Sequence, residues 1–176
     1  MRVLAVSGSL RAASTNTAVL RAAARLAPPG VAVALYPGLA TLPFFDPDLD
    51  GDAPPAPVRL LREEVGRADA LLICSPEYAR GVAGALKNML DWLVGSAEFP
   101  DKPVAVINAS QRSTHADASL RLILDTMSAR LVAAASITLP LLGRGLDADG
   151  VIADPDLSAR LRAAVASLCA AAAAGA

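Results

Sequence analysis

Short apolar runs alternate with helix-like segments along this whole chain, and that alternation limits the folds open to it. The runs Val3–Val6 and Ala70–Cys74 contain no polar interruption, which is typical of parallel strands covered by helices on both faces. The other predicted elements are the strands Val31–Leu35, Val104–Asn108 and Leu131–Ala135, and the helices Thr17–Leu26, Val58–Gly66, Val82–Val94, Ala116–Arg130 and Leu157–Ala173. Strand and helix thus repeat five times, which predicts an α/β fold.

The predicted fold is a three-layer sandwich with one parallel sheet between two layers of helices. We predict a single domain over residues 1–176, with five strands in the order 2-1-3-4-5, a common solution for a chain of this length. In that order the sheet reverses its direction of growth between the first and third strands. Ligands bind beside the carboxyl ends of the strands at such a switch point, so the loops after these two strands are candidate sites.

The loop after the first strand combines small residues, hydroxyl groups and one fixed positive charge. Gly8 permits a sharp turn, and any of Ser14, Thr15 and Asn16 is a credible N-cap for the helix that follows. The free N–H groups at a helix N-terminus attract anions. Neutral donors and one cation add to them: Ser9, Ser14, Asn16, Thr17 and Arg11. The loop therefore suits a phosphate group, with an ordinary capped turn that binds nothing as the alternative.

Two familiar phosphate-binding motifs are missing from this loop. It has no Gly-x-x-x-x-Gly-Lys-Ser/Thr sequence, which argues against the P-loop nucleotide hydrolases. It also lacks Gly-x-Gly-x-x-Gly, the fingerprint of dinucleotide-binding Rossmann domains.

The charge balance limits the class of partner. A formal net charge of −1 argues against a nucleic-acid or acidic-membrane binder, because both need a basic face. No apolar stretch has the length of a membrane span, and no basic-then-apolar leader opens the chain. We therefore expect a cytoplasmic protein that acts without nucleic acid or membrane.

Metal chemistry and side-chain acid–base chemistry both lack a sequence signal. Cys74 and Cys169 lie in a strand pattern and a helix pattern, so we expect buried apolar thiols rather than a disulfide or a metal pair. His115 is the only histidine, which makes a zinc site improbable. It is interpreted as a cap or surface residue, with a proton donor as the alternative. No pair of carboxylates suggests acid–base catalysis, so we predict no catalytic side chain.

Two further loops border the predicted crevice. In Ser75–Gly81, Pro76 fixes one backbone angle, and Tyr78 offers a flat face suited to a ring-shaped ligand. Glu77 is either a base or binder, or a carboxylate that fixes the loop by accepting backbone N–H bonds. In the loop after the fourth strand, the polar candidates are Ser110, Gln111 and Arg112.

The long segment Tyr36–Pro57 is rich in proline and carries the adjacent aromatics Phe44 and Phe45. These rings either plug the edge of their own domain or serve a site or an interface. On the helix that follows the third strand, Lys87 and Asp91 are spaced to pair on the surface, and Trp92 is interpreted as a core or interface anchor.

Two motifs together resemble the NAD(P)H-dependent FMN reductase family, a flavodoxin-like group that includes quinone, chromate and azo-dye reductases. They are residues 8–16 (Gly-Ser-Leu-Arg-x-x-Ser-x-Asn) and residues 76–92 (Pro-Glu-Tyr-x-x-Gly-x-x-Gly-x-Leu-Lys-Asn-x-x-Asp-Trp). The resemblance extends from Val3 to about Leu131. Three departures concern the ring contacts: Ala79 replaces the usual Asn, Ala83 the usual Pro, and residues 110–114 a glycine-rich sequence.

The resemblance implies a flavin site and assigns residues to it. The FMN phosphate would contact Ser9, Arg11, Ser14, Asn16 and Thr17. The flavin ring would lie against Pro76, Glu77, Tyr78 and the backbone of Ala79 and Arg80, with Ser110, Gln111 and Arg112 as weaker candidates.

The resemblance also implies the reaction and the assembly. NADPH or NADH would pass hydride to bound FMN, and a quinone, free flavin or other small acceptor would then take the electrons. A homodimer or homotetramer is expected, with the Phe44–Phe45 loop and the helix around Trp92 as contacts. The alternatives are a flavodoxin-like electron carrier and a phosphate-binding domain that holds no flavin.

Overall fold

The centre of the fold is a parallel sheet of five strands, as the alternation of apolar runs predicts. The structure, a computed structural model, describes residues 1–175. The strands are β1 (Arg2–Ser7), β2 (Ala32–Leu35), β3 (Ala70–Cys74), β6 (Pro103–Ile107) and β7 (Arg130–Leu131), in the order β2-β1-β3-β6-β7. The strands β4 (Glu77–Tyr78) and β5 (Gly81–Val82) form a separate hairpin. The order 2-1-3-4-5 is therefore confirmed for the main sheet.

Helices cover both faces of the sheet and create two apolar cores. The layer formed by α1 (Thr15–Leu26), α5 (Ala148–Ala153) and α6 (Pro155–Ala173) packs on one face. The layer formed by α2 (Ala56–Gly66), α3 (Gly84–Leu93) and α4 (Thr114–Thr126) packs on the other. Successive residues of the central strands alternate between these two cores, because side chains of a strand point to opposite faces. The three-layer sandwich is confirmed.

Helix α4 and the fifth strand differ from their predicted bounds. Helix α4 ends at Thr126, four residues before the predicted end, because Ser128 adopts a φ of 61° and a helix cannot continue through that conformation. The strand β7 covers only Arg130–Leu131, and Ala133–Ala135 forms a turn of 3-10 helix instead. The prediction Leu131–Ala135 was wrong because alanine has little preference for a strand.

The aromatic pair of the long loop is divided between the core and the surface. Phe45 contacts Trp92 edge to face, with ring centroids 5.0 Å apart, and the indole N–H of Trp92 donates to the Pro43 carbonyl at 2.9 Å. Phe44, in contrast, is 91% exposed. Trp92 is fully buried within its own chain. Its side chain is therefore a core anchor of its own chain.

Two smaller expectations, an ion pair and two buried thiols, are met in the described chain. Lys87 and Asp91 form an ion pair, and Cys74 and Cys169 are both buried with free thiols. No helix within residues 1–175 is both long enough and apolar enough to cross a bilayer.

Candidate functional site

Three loops and one irregular segment enclose an open cleft at the carboxyl edge of the sheet. The cleft has a volume of about 490 Å³, within the usual range for small-molecule sites. It is lined by residues of the loops after β1, β3 and β6 and of the segment 141–145: Arg11, Ala13, Thr15, Asn16, Ser75, Pro76, Glu77, Ala109, Ser110, Ser113, Leu141, Leu142, Gly143 and Gly145. The switch point thus carries a concave site, as the topology predicts.

The N-terminus of α1 forms one wall of this cleft. Ser14 is the N-cap, and its hydroxyl accepts the N–H of Thr17 at 3.3 Å. Thr15 and Asn16 occupy the first turn and line the cleft, where their backbone N–H groups have no acceptor within the helix. The first turn contains no acidic residue. This wall is therefore electropositive and its donors are available to an anion.

Arg11 adds a full positive charge beside the same helix end. Its side chain lies at the cleft and is exposed, and it takes part in none of the ion pairs found among residues 1–175. Its backbone N–H donates to the hydroxyl of Ser9 at 3.3 Å. The loop therefore presents a guanidinium whose charge no carboxylate of the described chain neutralises.

The remaining hydroxyl-bearing residues predicted for the phosphate support the loop rather than face the cleft. The Thr17 hydroxyl hydrogen-bonds with that of Ser7 at 2.9 Å, and Ser9 is buried beneath the turn. Thr17, Ser9 and Ser14 do not line the cleft. Of the five residues predicted for a phosphate, the structure brings Arg11 and Asn16 to the cleft and places the others in the support of the loop.

Gly8 allows the first and second loops to approach closely. Its N–H donates to the Cys74 carbonyl at 2.9 Å. A Cβ at this position would lie 2.3 Å from Oγ and 2.8 Å from Cβ of Ser75, well inside van der Waals contact. Only glycine fits between these loops without displacing one of them.

The second loop contains a hairpin that the sequence did not reveal. Tyr78 pairs with Gly81, and the two residues between them, Ala79 and Arg80, have φ values of 48° and 59°. Positive φ at both central positions is the geometry of a type I′ turn. That turn favours Asn-Gly or Asp-Gly, so Ala-Arg gave no signal for it. The predicted helix start at Val82 was accordingly too early, since α3 begins at Gly84.

Three predicted flavin contacts, Tyr78, Ala79 and Arg80, lie on this hairpin and do not line the cleft itself. Ala79 and Arg80 lie at its exposed tip and do not line the cleft. Tyr78 lines a neighbouring groove of about 350 Å³, which it shares with Arg11 and Gly84. Pro76 is at the cleft itself. The structure therefore separates the base of the second loop from its tip.

Replacing Ala79 with asparagine is expected to stabilise the protein by about 0.5–1 kcal/mol. An L-residue with a Cβ pays a steric penalty at positive φ, and asparagine is the residue that tolerates this conformation best after glycine. Urea unfolding of the Ala79→Asn variant measures the gain. The exposed Ala40 has an ordinary negative φ, so Ala40→Asn should give no such gain. Equal effects at both positions would contradict the strained turn.

Glu77 joins the second loop to the third. Its Oε2 accepts the backbone N–H of Ala116 at 2.8 Å, in the first turn of α4. The structure therefore shows the second of the two interpretations, a carboxylate that accepts a backbone N–H, although the donor belongs to α4 rather than to its own loop. The same side chain still lines the cleft.

The Glu77→Ala variant is expected to be about 1–2 kcal/mol less stable than the wild type. It leaves an N–H of the α4 terminus without its charged acceptor. Glu77→Gln keeps an acceptor and should lose less than half as much. Thermal unfolding of both variants provides the comparison, and an unchanged melting temperature for Glu77→Ala would show that this bond does not support the loop.

The third loop contributes one of its predicted residues to the cleft. Ser110 lines it, with its N–H donated to Asn108 Oδ1 at 3.0 Å. Gln111 and Arg112 are exposed and do not line the cleft. His115 is also exposed, in the first turn of α4, which agrees with its interpretation as a surface residue.

Sequence reasoning missed the segment 141–145, which forms the fourth wall. Its sequence shows no strand or helix period. The available signal was its pair of glycines, since Gly143 and Gly145 have φ values of 76° and 60°. Both glycines line the cleft, in the segment that leads to α5.

Comparison with protein families identifies the family to which the chain belongs. The family model of the NADPH-dependent FMN reductases matches residues 1–141, which include the first three walls of the cleft. The chain belongs to this family. The recognition of an FMN reductase from two motifs is therefore confirmed, and the matched region extends ten residues beyond the predicted limit at Leu131.

Relatives of this FMN reductase family member are found among bacteria and plants. An NAD(P)H-dependent FMN reductase of Pseudomonas aeruginosa is 40% identical over 112 residues, 62% of this chain and 60% of that protein. A quinone reductase of Escherichia coli K12 is 38% identical over 106 residues, 60% of this chain and 55% of that protein. The chain thus spans less than two thirds of the length of these relatives.

The structural similarity extends over nearly the whole chain. The flavoenzyme NAD(P)H:(acceptor) oxidoreductase FerB from Paracoccus denitrificans superimposes with a TM-score of 0.79 at 27% identity, over 96% of this chain and 97% of that one. The apo form of an NADH:FMN oxidoreductase gives a TM-score of 0.66 at 21% identity, over 95% of this chain and 87% of that one. This FMN reductase family member therefore has the fold of known flavoenzymes.

Proposed function

We propose that this chain is an NAD(P)H-dependent oxidoreductase whose single domain, residues 1–176, holds FMN in the cleft. The observation that carries the proposal is one wall of the cleft. It has free helix N–H groups, no acidic residue in the helix's first turn, and Arg11, which pairs with no carboxylate of residues 1–175. A phosphate monoester is the ligand group that such a wall suits best. Membership of the FMN reductase family supports the same ligand.

The residues of the cleft fit the two ends of FMN. At the phosphate end, we assign binding to Arg11, to Asn16 and to the first N–H groups of α1, while Ser9, Ser14 and Thr17 keep the loop in shape. At the ring end, the base of the second loop at Pro76 and the third loop at Ser110 form opposing walls. Tyr78 lines the adjoining groove, which shares Arg11 with the cleft. The contact of Tyr78 and of the Ala79 and Arg80 backbone with the flavin ring stays a prediction.

The chain's task in the proposed reaction is orientation rather than acid–base chemistry. When bound, FMN supplies the redox chemistry, which here means hydride uptake from NADPH or NADH and electron transfer to a small acceptor such as a quinone or free flavin. The Glu77 carboxylate already accepts the N–H of Ala116, and His115 lies outside the cleft. No side chain is therefore assigned as an acid or base.

Steady-state oxidation of NADPH or NADH by the FMN-loaded protein tests this proposal. We expect sustained turnover with a quinone acceptor and, without oxygen or acceptor, loss of the visible absorption of oxidised flavin after NAD(P)H is added. FMN binding without turnover would instead favour an electron carrier. A protein that stays colourless with added FMN would favour a phosphate-binding domain. The homo-oligomer, the identity of the acceptor and the cytoplasmic location stay predictions.

A further inference from the structure

The buried thiol of Cys74 lies where the three loops of the cleft meet. Cys74 ends β3 and is fully buried. Its Sγ donates to Oδ1 of Asn16 at 3.2 Å, across 58 residues of sequence, and its carbonyl accepts the N–H of Gly8. The expected role of an inert apolar residue therefore describes its burial but not its contacts.

The third loop also approaches the sulfur. The backbone N–H of Ala109 acts on the thiol as a donor and lowers its pKa, and Ala109 lines the cleft beside Asn16. A thiol carries one proton, and with a donor beside the sulfur that proton needs an acceptor elsewhere. The carbonyl oxygen of the Asn16 amide is the acceptor in place.

This bond decides which end of the Asn16 amide is free. An asparagine side chain carries an oxygen that accepts and an NH2 group that donates, and a half-turn about its last bond exchanges them. With the oxygen held by the thiol, the NH2 group is the end that remains for a ligand in the cleft. An anion needs that orientation, because an exposed carbonyl oxygen would repel it.

The thiol is a dependable donor because it does not ionise under ordinary conditions. Burial raises the pKa of Cys74 far above the usual value for a thiol, and the Ala109 N–H only partly offsets that rise. The proton therefore stays on sulfur at neutral and mildly alkaline pH.

We infer that Cys74 is a positioning residue that orients the Asn16 amide, so that its NH2 group donates to the phosphate monoester of a ligand in the cleft. The inference rests on the proposed function and adds a residue to it. Cys74 itself does not line the cleft. Its effect on binding therefore passes through Asn16, and it should change affinity for the phosphate without changing affinity for the ring.

Binding of FMN and of riboflavin, which lacks the phosphate, separates these two contributions. Fluorescence titrations of Cys74→Ala should show FMN affinity about threefold to tenfold below the wild type, the effect of one lost hydrogen bond, with riboflavin affinity unchanged. Cys74→Ser keeps a donor and should restore FMN affinity to within about twofold of the wild type. In an Asn16→Ala background, Cys74→Ala should have no further effect, because the amide it orients is gone.

Two further variants serve as controls for this comparison. Cys169→Ala removes the other buried thiol, which lies in α6 and does not line the cleft, and should leave both affinities unchanged. Cys74→Val removes the donor while filling the space. If Cys74→Ala fails to fold, Cys74→Val should show the same loss of FMN affinity with riboflavin affinity unchanged.

The outcomes distinguish the inference from the proposed function. Wild-type FMN affinity in Cys74→Ala, equal losses for FMN and riboflavin, or additive losses in the double variant would each overturn the role of Cys74 and leave the FMN site intact. A wild-type protein that binds FMN no better than riboflavin would overturn both.

Discussion

Replacing Arg11 with alanine is expected to weaken FMN binding about tenfold to a hundredfold. A charge-assisted hydrogen bond contributes about 1.5–3 kcal/mol, and Arg11 is the cation beside the N-terminus of α1 at the cleft. Because its side chain is exposed, solvent screening should keep the loss towards the lower end of that range at high ionic strength. Isothermal or fluorescence titration at two salt concentrations measures the effect.

The matched control is another exposed arginine. Arg59 lies on α2, on the opposite face of the sheet from α1, and Arg59→Ala should leave FMN affinity within about twofold of the wild type, since distant surface charges are screened. Riboflavin affinity should not change in either variant, because riboflavin carries no phosphate. An unchanged FMN dissociation constant in Arg11→Ala would place the phosphate elsewhere.

The Gly8→Ala substitution is expected to destabilise the protein by about 1–3 kcal/mol and to lower its affinity for FMN. The added methyl group would lie 2.3 Å from Oγ and 2.8 Å from Cβ of Ser75, so one loop must move, and overpacking of this kind has that order of cost. Ser75 lines the cleft, so the movement also displaces a wall of the site. Urea unfolding and FMN titration measure the two effects.

A second substitution should rescue the first. Ser75→Gly removes both side-chain atoms that the new methyl group would meet, and leaves the Ser75 Cα at 3.2 Å. The double variant should therefore regain most of the stability lost in Gly8→Ala, with a coupling free energy of about 1 kcal/mol or more. Strictly additive losses would show that the clash between the two loops is not the cause.

Most of the sheet and its order could be predicted because they follow from local pattern. Residues Val3–Val6 of β1 and the whole of β3 and β6 are uninterrupted apolar runs. Each run contributes side chains to both cores, which is the condition that produces such runs. The position of the cleft followed from strand order alone. The phosphate-binding character of the loop after β1 was also predictable. The N-cap residue and the first turn of α1, whose N–H groups have no acceptor in the helix, are adjacent in sequence.

The missed features depend on contacts that no local pattern encodes. The turn at Ala79–Arg80 adopts a geometry that its residues disfavour, so the fold around it, rather than local preference, imposes it. The segment 141–145 lines the cleft through the tertiary fold, although it follows no strand of the main sheet directly. The bond from Cys74 to Asn16 joins the last residue of β3 to the first turn of α1. In the sequence these two residues are 58 positions apart, and no local pattern connects them.

The crystal structure of the protein with FMN tests the central claim most directly, namely that the N-terminus of α1 binds a phosphate monoester. The account predicts electron density for the phosphate within hydrogen-bond distance of the backbone N–H groups of Thr15 and Asn16 and of the Arg11 guanidinium. A complex in which the phosphate lies away from this helix end, or in which FMN at saturating concentration leaves the cleft to side chains and water, would contradict it.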